Sequence, residues 1–224
     1  MAIDLCSIVL TLRPLPAQPP EGELPAWWGR AAHALLLRVL SAVDPQLAAS
    51  NHDEQDLRPF TASNLMGNHR HGLDPQQTYT LRYTAFSAPV TGCLLGALEP
   101  GGALAPGARV ELDYQPFIVE AATADRAAHP WAGVDDYASL AAGRLVSTKP
   151  AERWITLQFA SPTAFKSGGM GQPLPLPELV FGSLLNRWNA YAPIQFPVEA
   201  RRFASECLAI SRFQLSSLPA AMKN

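Results

Sequence analysis

Cysteine is scarce in this 224-residue chain, with only Cys6, Cys93 and Cys207 present. They are odd in number and far apart, which excludes a disulfide framework and a CxxC zinc site and leaves them as packing residues. Long apolar runs are also missing. Arg13 interrupts the apolar start, and no apolar stretch of roughly eighteen residues follows, so neither a cleavable signal nor a membrane span is expected. The chain reads as soluble and cytoplasmic. It contains no GxxxxGK(S/T) phosphate loop, no HExxH and no Gly-x-Ser-x-Gly elbow, which removes the P-loop, zinc-protease and serine-hydrolase chemistries. No metal and no cofactor is expected. Net charge is only −2, a weak signal for a polyanionic partner.

The average hides an asymmetry. Residues 1–140 carry 8 basic and 15 acidic side chains, whereas residues 141–224 carry 9 and 4. A phosphate backbone would be drawn to the second part through Arg144, Lys149, Arg153, Lys166, Arg187, Arg201, Arg202 and Arg212, if these share a face. With 48% of residues of hydrophobic type, the length supports one large domain or two small ones.

Residues 3–12 read as a buried strand, mostly apolar on both faces. The proline-rich stretch Pro14–Pro25 forces a loop. Residues 27–43 then place Trp28, Ala31, Leu35, Val39 and Ala42 at helical spacing, closed by Asp44-Pro45. Residues 56–65 and 77–86 read as a strand pair joined by a polar loop with Gly67, His69, Arg70, His71 and Gly72. A short helix from Pro89 to Leu98 and a single strand from Arg109 to Glu120 complete a β-α-β-β-α-β order, the ferredoxin-like arrangement. After a short helix at 135–142, a strand at 153–160, a helix at 177–191, a helical turn at 198–206 and a strand at 208–218 begin a second such unit. The expected fold is therefore α+β, with tandem ferredoxin-like (RRM-like) domains at 1–148 and 149–224, the second incomplete at its C-terminus.

Several blocks carry a family likeness. Asn51-His52-Asp53-Glu54, then Leu57-Arg58-Pro59-Phe60-Thr61-Ala62-Ser63, is similar to an "H…(K/R)-P-(F/Y)-T-x-S" segment. Tyr79-Thr80-Leu81-Arg82-Tyr83-Thr84, His129-Pro130-Trp131 with Tyr137, Ser161-Pro162-Thr163-Ala164-Phe165, Pro175-Leu176-Pro177 and Phe181-Gly182-Ser183-Leu184-Leu185-Asn186-Arg187-Trp188-Asn189 follow in order. In this set the chain resembles the CRISPR-associated pre-crRNA processing endoribonucleases of the RAMP superfamily. The resemblance implies repeat RNA as substrate, and 2′,3′-cyclic phosphate and 5′-hydroxyl ends as products. Two departures stand out. Nothing follows Asn224 to supply the family's C-terminal glycine-rich loop, and Gly168-Gly169-Met170-Gly171 lies too early to be it. A tyrosine that some members carry in the first helix would fall near Leu37.

Metal-free RNA cleavage needs the 2′-hydroxyl deprotonated, the phosphorane's charge neutralised and the 5′-oxygen protonated. Histidine exchanges protons near neutral pH. His52, at a helix-to-strand junction, is expected to be the general base or acid, and Arg58, six residues on, the cation on the scissile phosphate. His33, one turn from Arg30, could replace the missing tyrosine and bond a bridging or 2′-oxygen. His69 and His71 flank Arg70, which with Arg144, Lys149, Arg201 and Arg202 forms the expected RNA-contact set. His129 reads as structural, Asp135-Asp136 as charge at a helix start, and Trp154 and Trp188 as core. The expectation is a metal-independent endoribonuclease acting on CRISPR repeat RNA. A non-catalytic RAMP-type crRNA-binding subunit of an effector complex is the alternative, and a homodimer is left open.

Overall fold

A computed structural model describes residues 3–16, 27–47, 57–69, 72–150 and 152–216. The contacts divide the chain into two compact units, the first running to Asp136 and the second beginning at Tyr137.

The first unit is organised around β1 (Leu5–Pro14), which lies two residues later than the sequence pattern suggests. Cys6, Ile8, Leu10 and Leu12 alternate onto one face and are almost fully buried, as a period of two requires. α1 (Gly29–Val43) covers that face with Ala32, Leu35, Leu36, Val39 and Leu40. β2 (Phe60–Ala62), β3 (Tyr79–Ala85), α2 (Ala88–Leu98), β4 (Arg109–Leu112), β5 (Gln115–Thr123) and β6 (Gly133–Asp135) follow. The sheet order is β2-β3-β1-β5-β4, with β6 also pairing with β1. β1 runs antiparallel to both β3 and β5. This is the expected ferredoxin-like order, with β4 as an added edge.

Two expectations for this unit are corrected. The strand expected at 56–65 shortens to Phe60–Ala62, with residue 56 outside the described residues. Pro59 offers no N–H. On the other side the Ser63 side chain takes over a ladder bond, its Oγ accepting from Arg82 N at 2.9 Å. The strand expected from Arg109 to Glu120 is a hairpin instead. Asp113 and Tyr114 adopt φ of 47° and 63°, the two successive left-handed residues of a two-residue turn between twisted strands. Tyrosine where glycine is usual conceals that turn in the sequence.

The second unit holds α3 (Tyr137–Leu145), a β7 (Phe165–Ser167) to β8 (Met170–Gln172) hairpin, α4 (Pro177–Tyr191) and α5 (Val198–Glu206). Gly168 and Gly169 turn the hairpin at φ 57° and 78°, positions that suit residues without a Cβ. The strands expected at 153–160 and 208–218 do not form among the described residues, and residues 217–218 lie outside them. A strand needs a neighbour to take its N–H and C=O groups. In the first unit the corresponding strands β1 and β2 are separated by β3. Among the described residues neither run has such a neighbour. Trp154, expected in the core, is accordingly 75% exposed. Trp188 does pack, edge-on to Tyr137 at 5.1 Å and against Phe196 at 5.4 Å.

Burial holds two groups of the first core in their neutral form. The Cys6 thiol, among buried apolar neighbours, is pushed up from 9.0 to about 11, against the pull of hydrogen bonds from Thr91 and Ala85. Burial also drives the Tyr83 phenol well above its usual 10.0. An unfolded chain ionises both groups sooner, so their contribution is complete below about pH 9 and declines as pH rises towards 11, by up to about 1.4 kcal/mol per unit for each group. Urea midpoints measured between pH 8 and 11 should fall, and Cys6→Ala and Tyr83→Phe should each flatten the decline. A wild-type midpoint that does not move would refute this account.

Candidate functional site

Two hydrogen bonds seat the start of α1 on the sheet. Trp28 N donates to Asn64 Oδ1 at 2.7 Å, and the buried Tyr83 hydroxyl donates to Ala32 O at 2.8 Å. The Trp28 indole is fully buried and meets Phe117 edge-on at 6.2 Å. The residue after Ala32 is His33, which therefore leaves the helix at a fixed point on the rim of the core.

The chain returns to that rim just before β2. Phe86 N donates to Pro59 O at 2.8 Å, which ties Pro59 to the end of β3 and places Arg58 beside α1. Arg58 Nη1 lies 2.6 Å from His33 Nε2, and the His33 ring sits 5.6 Å from that of Phe60, tilted by 38°. A guanidinium is always charged and has no acceptor, so Arg58 is the donor. His33 Nε2 then presents its lone pair, and the ring proton belongs on Nδ1. A neutral imidazole and a permanent cation are thus matched on a half-buried rim.

The other expected site residues are spread differently. His52, Arg70 and His71 lie outside the described residues. Arg144 is on α3, with its side chain outside the described set. Lys149 is exposed in the turn after α3, where its N–H donates to Ser147 Oγ at 3.3 Å. Arg201 and Arg202 are adjacent on α5 but take different partners: Arg202 pairs with Glu206 at 3.0 Å, one turn along the same helix, and Arg201 donates to Asn186 Oδ1. His69 packs edge-on to Trp28 at 6.3 Å, with Nδ1 3.1 Å from Gly67 O, so it anchors its loop. His129 Nδ1 accepts from Trp131 N at 3.1 Å, the structural part expected of it. Among the described residues no group of three or more His, Cys, Asp or Glu side chains could hold a metal ion, and no helix is long and apolar enough to cross a membrane.

Sequence reasoning missed Arg82. It sits on β3 opposite Val9 of β1, on the sheet face away from the helices. Its Nε donates to Ser7 Oγ at 2.8 Å, while the Ser7 hydroxyl donates to Trp131 O. Burial lowers its pKa, and among the described residues it makes no ion pair. The alternation Thr80, Arg82, Thr84 against Tyr79, Leu81, Tyr83 was the available signal for a cation on the open face.

Comparisons with known proteins agree on one family. The description "CRISPR Cas6 N-terminal domain" matches residues 6–95, and "CRISPR-associated endoribonuclease Cas6" matches residues 157–219. Among curated proteins, none matches the chain in sequence. Among solved structures, a Thermus thermophilus Cas6 in its product complex is 27% identical with a TM-score of 0.67, over 94% of this chain and 76% of that one. A second Cas6 product complex is 28% identical with a TM-score of 0.71, over 97% and 77%. That second Cas6 bound to a substrate mimic is 27% identical with a TM-score of 0.63, over 98% and 76%.

The donor assignment at the rim can be checked directly. Long-range nitrogen–proton NMR correlations should show His33 protonated on Nδ1 in the wild type. In Arg58→Ala that preference should be lost. A wild-type His33 carrying its proton on Nε2 would overturn the Arg58-to-His33 hydrogen bond.

Proposed function

Taking as premise that the chain belongs to the Cas6 family of CRISPR-associated endoribonucleases, whose tandem ferredoxin-like, α+β architecture it shares, we propose how it cuts. The family activity is the processing of CRISPR repeat RNA, and two of the matched relatives are product complexes. The proposed reaction uses no metal. The 2′-hydroxyl loses its proton to an imidazole and its oxygen attacks the adjacent phosphorus. The bond to the 5′-oxygen breaks, and that oxygen takes a proton from an acid, leaving a 2′,3′-cyclic phosphate and a 5′-hydroxyl.

The observation that carries this reading is the 2.6 Å contact between Arg58 and His33. Arg58 is the cation for the phosphorane, since its fork can accommodate two oxygens at once. His33, with Nε2 unprotonated, is suited to bond the 2′-oxygen and accept its proton. His52, six residues before Arg58 in the sequence, is the second histidine of the acid and base pair. Leu37, at the position where some relatives carry a tyrosine, packs on the core, so the hydroxyl's role passes to His33. Arg70, Arg144, Lys149, Arg201 and Arg202 are the proposed contacts to the RNA backbone. The protein would act on transcripts in the cytoplasm and release its product to an effector complex, either as a single chain or as a homodimer.

Purified protein incubated with repeat RNA in EDTA should give one discrete cut, and the cyclic end should resist phosphatase until it is opened by acid. His52→Ala should abolish the cut with RNA still bound, and His33→Ala should slow it by about 10²–10⁴-fold, the usual range for a positioned acid or base. RNA that is shifted but never cut by the wild type would establish the non-catalytic crRNA-binding subunit instead. A cut that disappears with EDTA and returns with a divalent cation would remove the metal-free mechanism.

A further inference from the structure

The second unit contains a cleft of about 310 Å³ between β7, α4 and α5, lined by Lys166, Glu178, Gly182, Ser183, Asn186 and Arg201. Its cationic side is built with some care. α4 and the loop leading to α5 are joined by a reciprocal pair of bonds: Phe196 N donates to Asn189 Oδ1 at 2.8 Å, and Asn189 Nδ2 donates to Phe196 O at 2.9 Å. The Trp188 indole N–H adds a bond to Ile194 O at 2.7 Å. These contacts set where α5 starts and so where Arg201 stands. From there the guanidinium reaches back across α4 to Gly182. A Cβ built on Gly182 would lie 3.8 Å from the Cζ, Nε and Nη2 of Arg201 alike. Three equal distances mean that the guanidinium plane lies flat over the glycine. Nη2 is held by Asn186 Oδ1, and the Nη1 edge of the fork is the part that this bond leaves available.

We propose that this cleft is a phosphodiester-binding site for the RNA backbone, with the Arg201 fork and the Lys166 ammonium on one phosphate group. This rests on the reading of the chain as an RNA-processing enzyme and names a group of the substrate and where it binds. The choice of ligand follows from the chemistry of the lining. The exposed residues Lys166 and Arg201 have no carboxylate within ion-pair distance among the described residues, in contrast to Arg202, which is engaged by Glu206. A planar fork beside a point charge suits a tetrahedral dianion or a phosphodiester, and Ser183 and Asn186 add uncharged donors. Glu178 is the one acidic group in the lining. It disfavours an anion at its own end and so confines the phosphate to the Arg201 end. A Cβ here would only touch the guanidinium at van der Waals distance, so alanine fits at residue 182, whereas a side chain that branches beyond the Cβ would lift the guanidinium from the helix. Arg201, Asn186 and Gly182 therefore act as one device, whose parts lie in the sequence block Phe181–Asn189 and in α5.

The test is fluorescence anisotropy with a short labelled oligouridine, which offers phosphates without a repeat sequence, across a salt series, with cleavage of repeat RNA measured on the same preparations. Arg201→Gln should weaken oligouridine binding several-fold at low salt and reduce the slope of log K against log salt by about 0.7, the value for one phosphate contact on a single strand. Glu178→Gln should tighten binding. Gly182→Val keeps every charge, and it should weaken binding with little change of slope if positioning is what the glycine supplies. Thermal melts will show whether each variant is folded, and the tighter binding of Glu178→Gln is an outcome that misfolding cannot mimic. If the wild type cuts repeat RNA while Arg201→Gln keeps the full slope and affinity, the cleft is refuted and the enzyme reading stands. If the slope drops in Arg201→Gln but no protein cuts, the cleft stands and the cleavage reading fails. A wild type that binds no oligouridine overturns the cleft outright.

Discussion

The buried hydroxyl of Tyr83 is the constraint on which the N-terminal unit depends. It lies on β3, fully shielded from solvent, and it reaches the carbonyl of Ala32 on α1. A buried phenol left unbonded would cost on the order of 1–3 kcal/mol, so this one bond selects both the height and the rotation of the helix over the sheet. The next side chain along is His33. Chemistry at the rim is thus positioned by a group that never touches substrate, and the precision of the Arg58 contact is inherited from the core.

The fold was legible where burial enforces a period. β1, α1, β3 and α2 were readable because alternating or helical apolar patterns have a single way of facing one core. The β4–β5 hairpin was not legible, since its turn is made by Asp113 and Tyr114 in place of the expected glycine, and a continuous alternation of Val110, Leu112, Tyr114 masks the reversal. The runs 153–160 and 208–216 mark a different limit. Their composition is that of strands, but a strand is a relation between two segments, and composition does not report whether the partner is present.

The site was partly legible for a related reason. Arg58 and His33 stand 25 residues apart in sequence, and only the ferredoxin-like order, which lays the first helix beside the second strand, allows them to be paired in advance. The separate fates of Arg201 and Arg202 could not be read at all. Adjacent on α5, they project in different directions, so that one lies across α4 and the other is neutralised along its own helix. Arg82 was hidden by the ordinary look of an arginine in an alternating strand. Its half-burial comes from Ser7 and the segment around Trp131, both remote in sequence.

The central position of β1 also orders events during synthesis. Its register partners are residues 79–85 on one side and 117–123 on the other, with 133–135 beyond. β1 is therefore made well before the strands that enclose it. At ribosomal rates it waits roughly 5–15 s for β3 alone, with Ile8, Leu10 and Leu12 still without a sheet. Nascent chains of this kind, rich in contacts between distant segments, fold late and slowly. A cell that makes this protein must keep this strand from other partners until residues 117–123 have emerged.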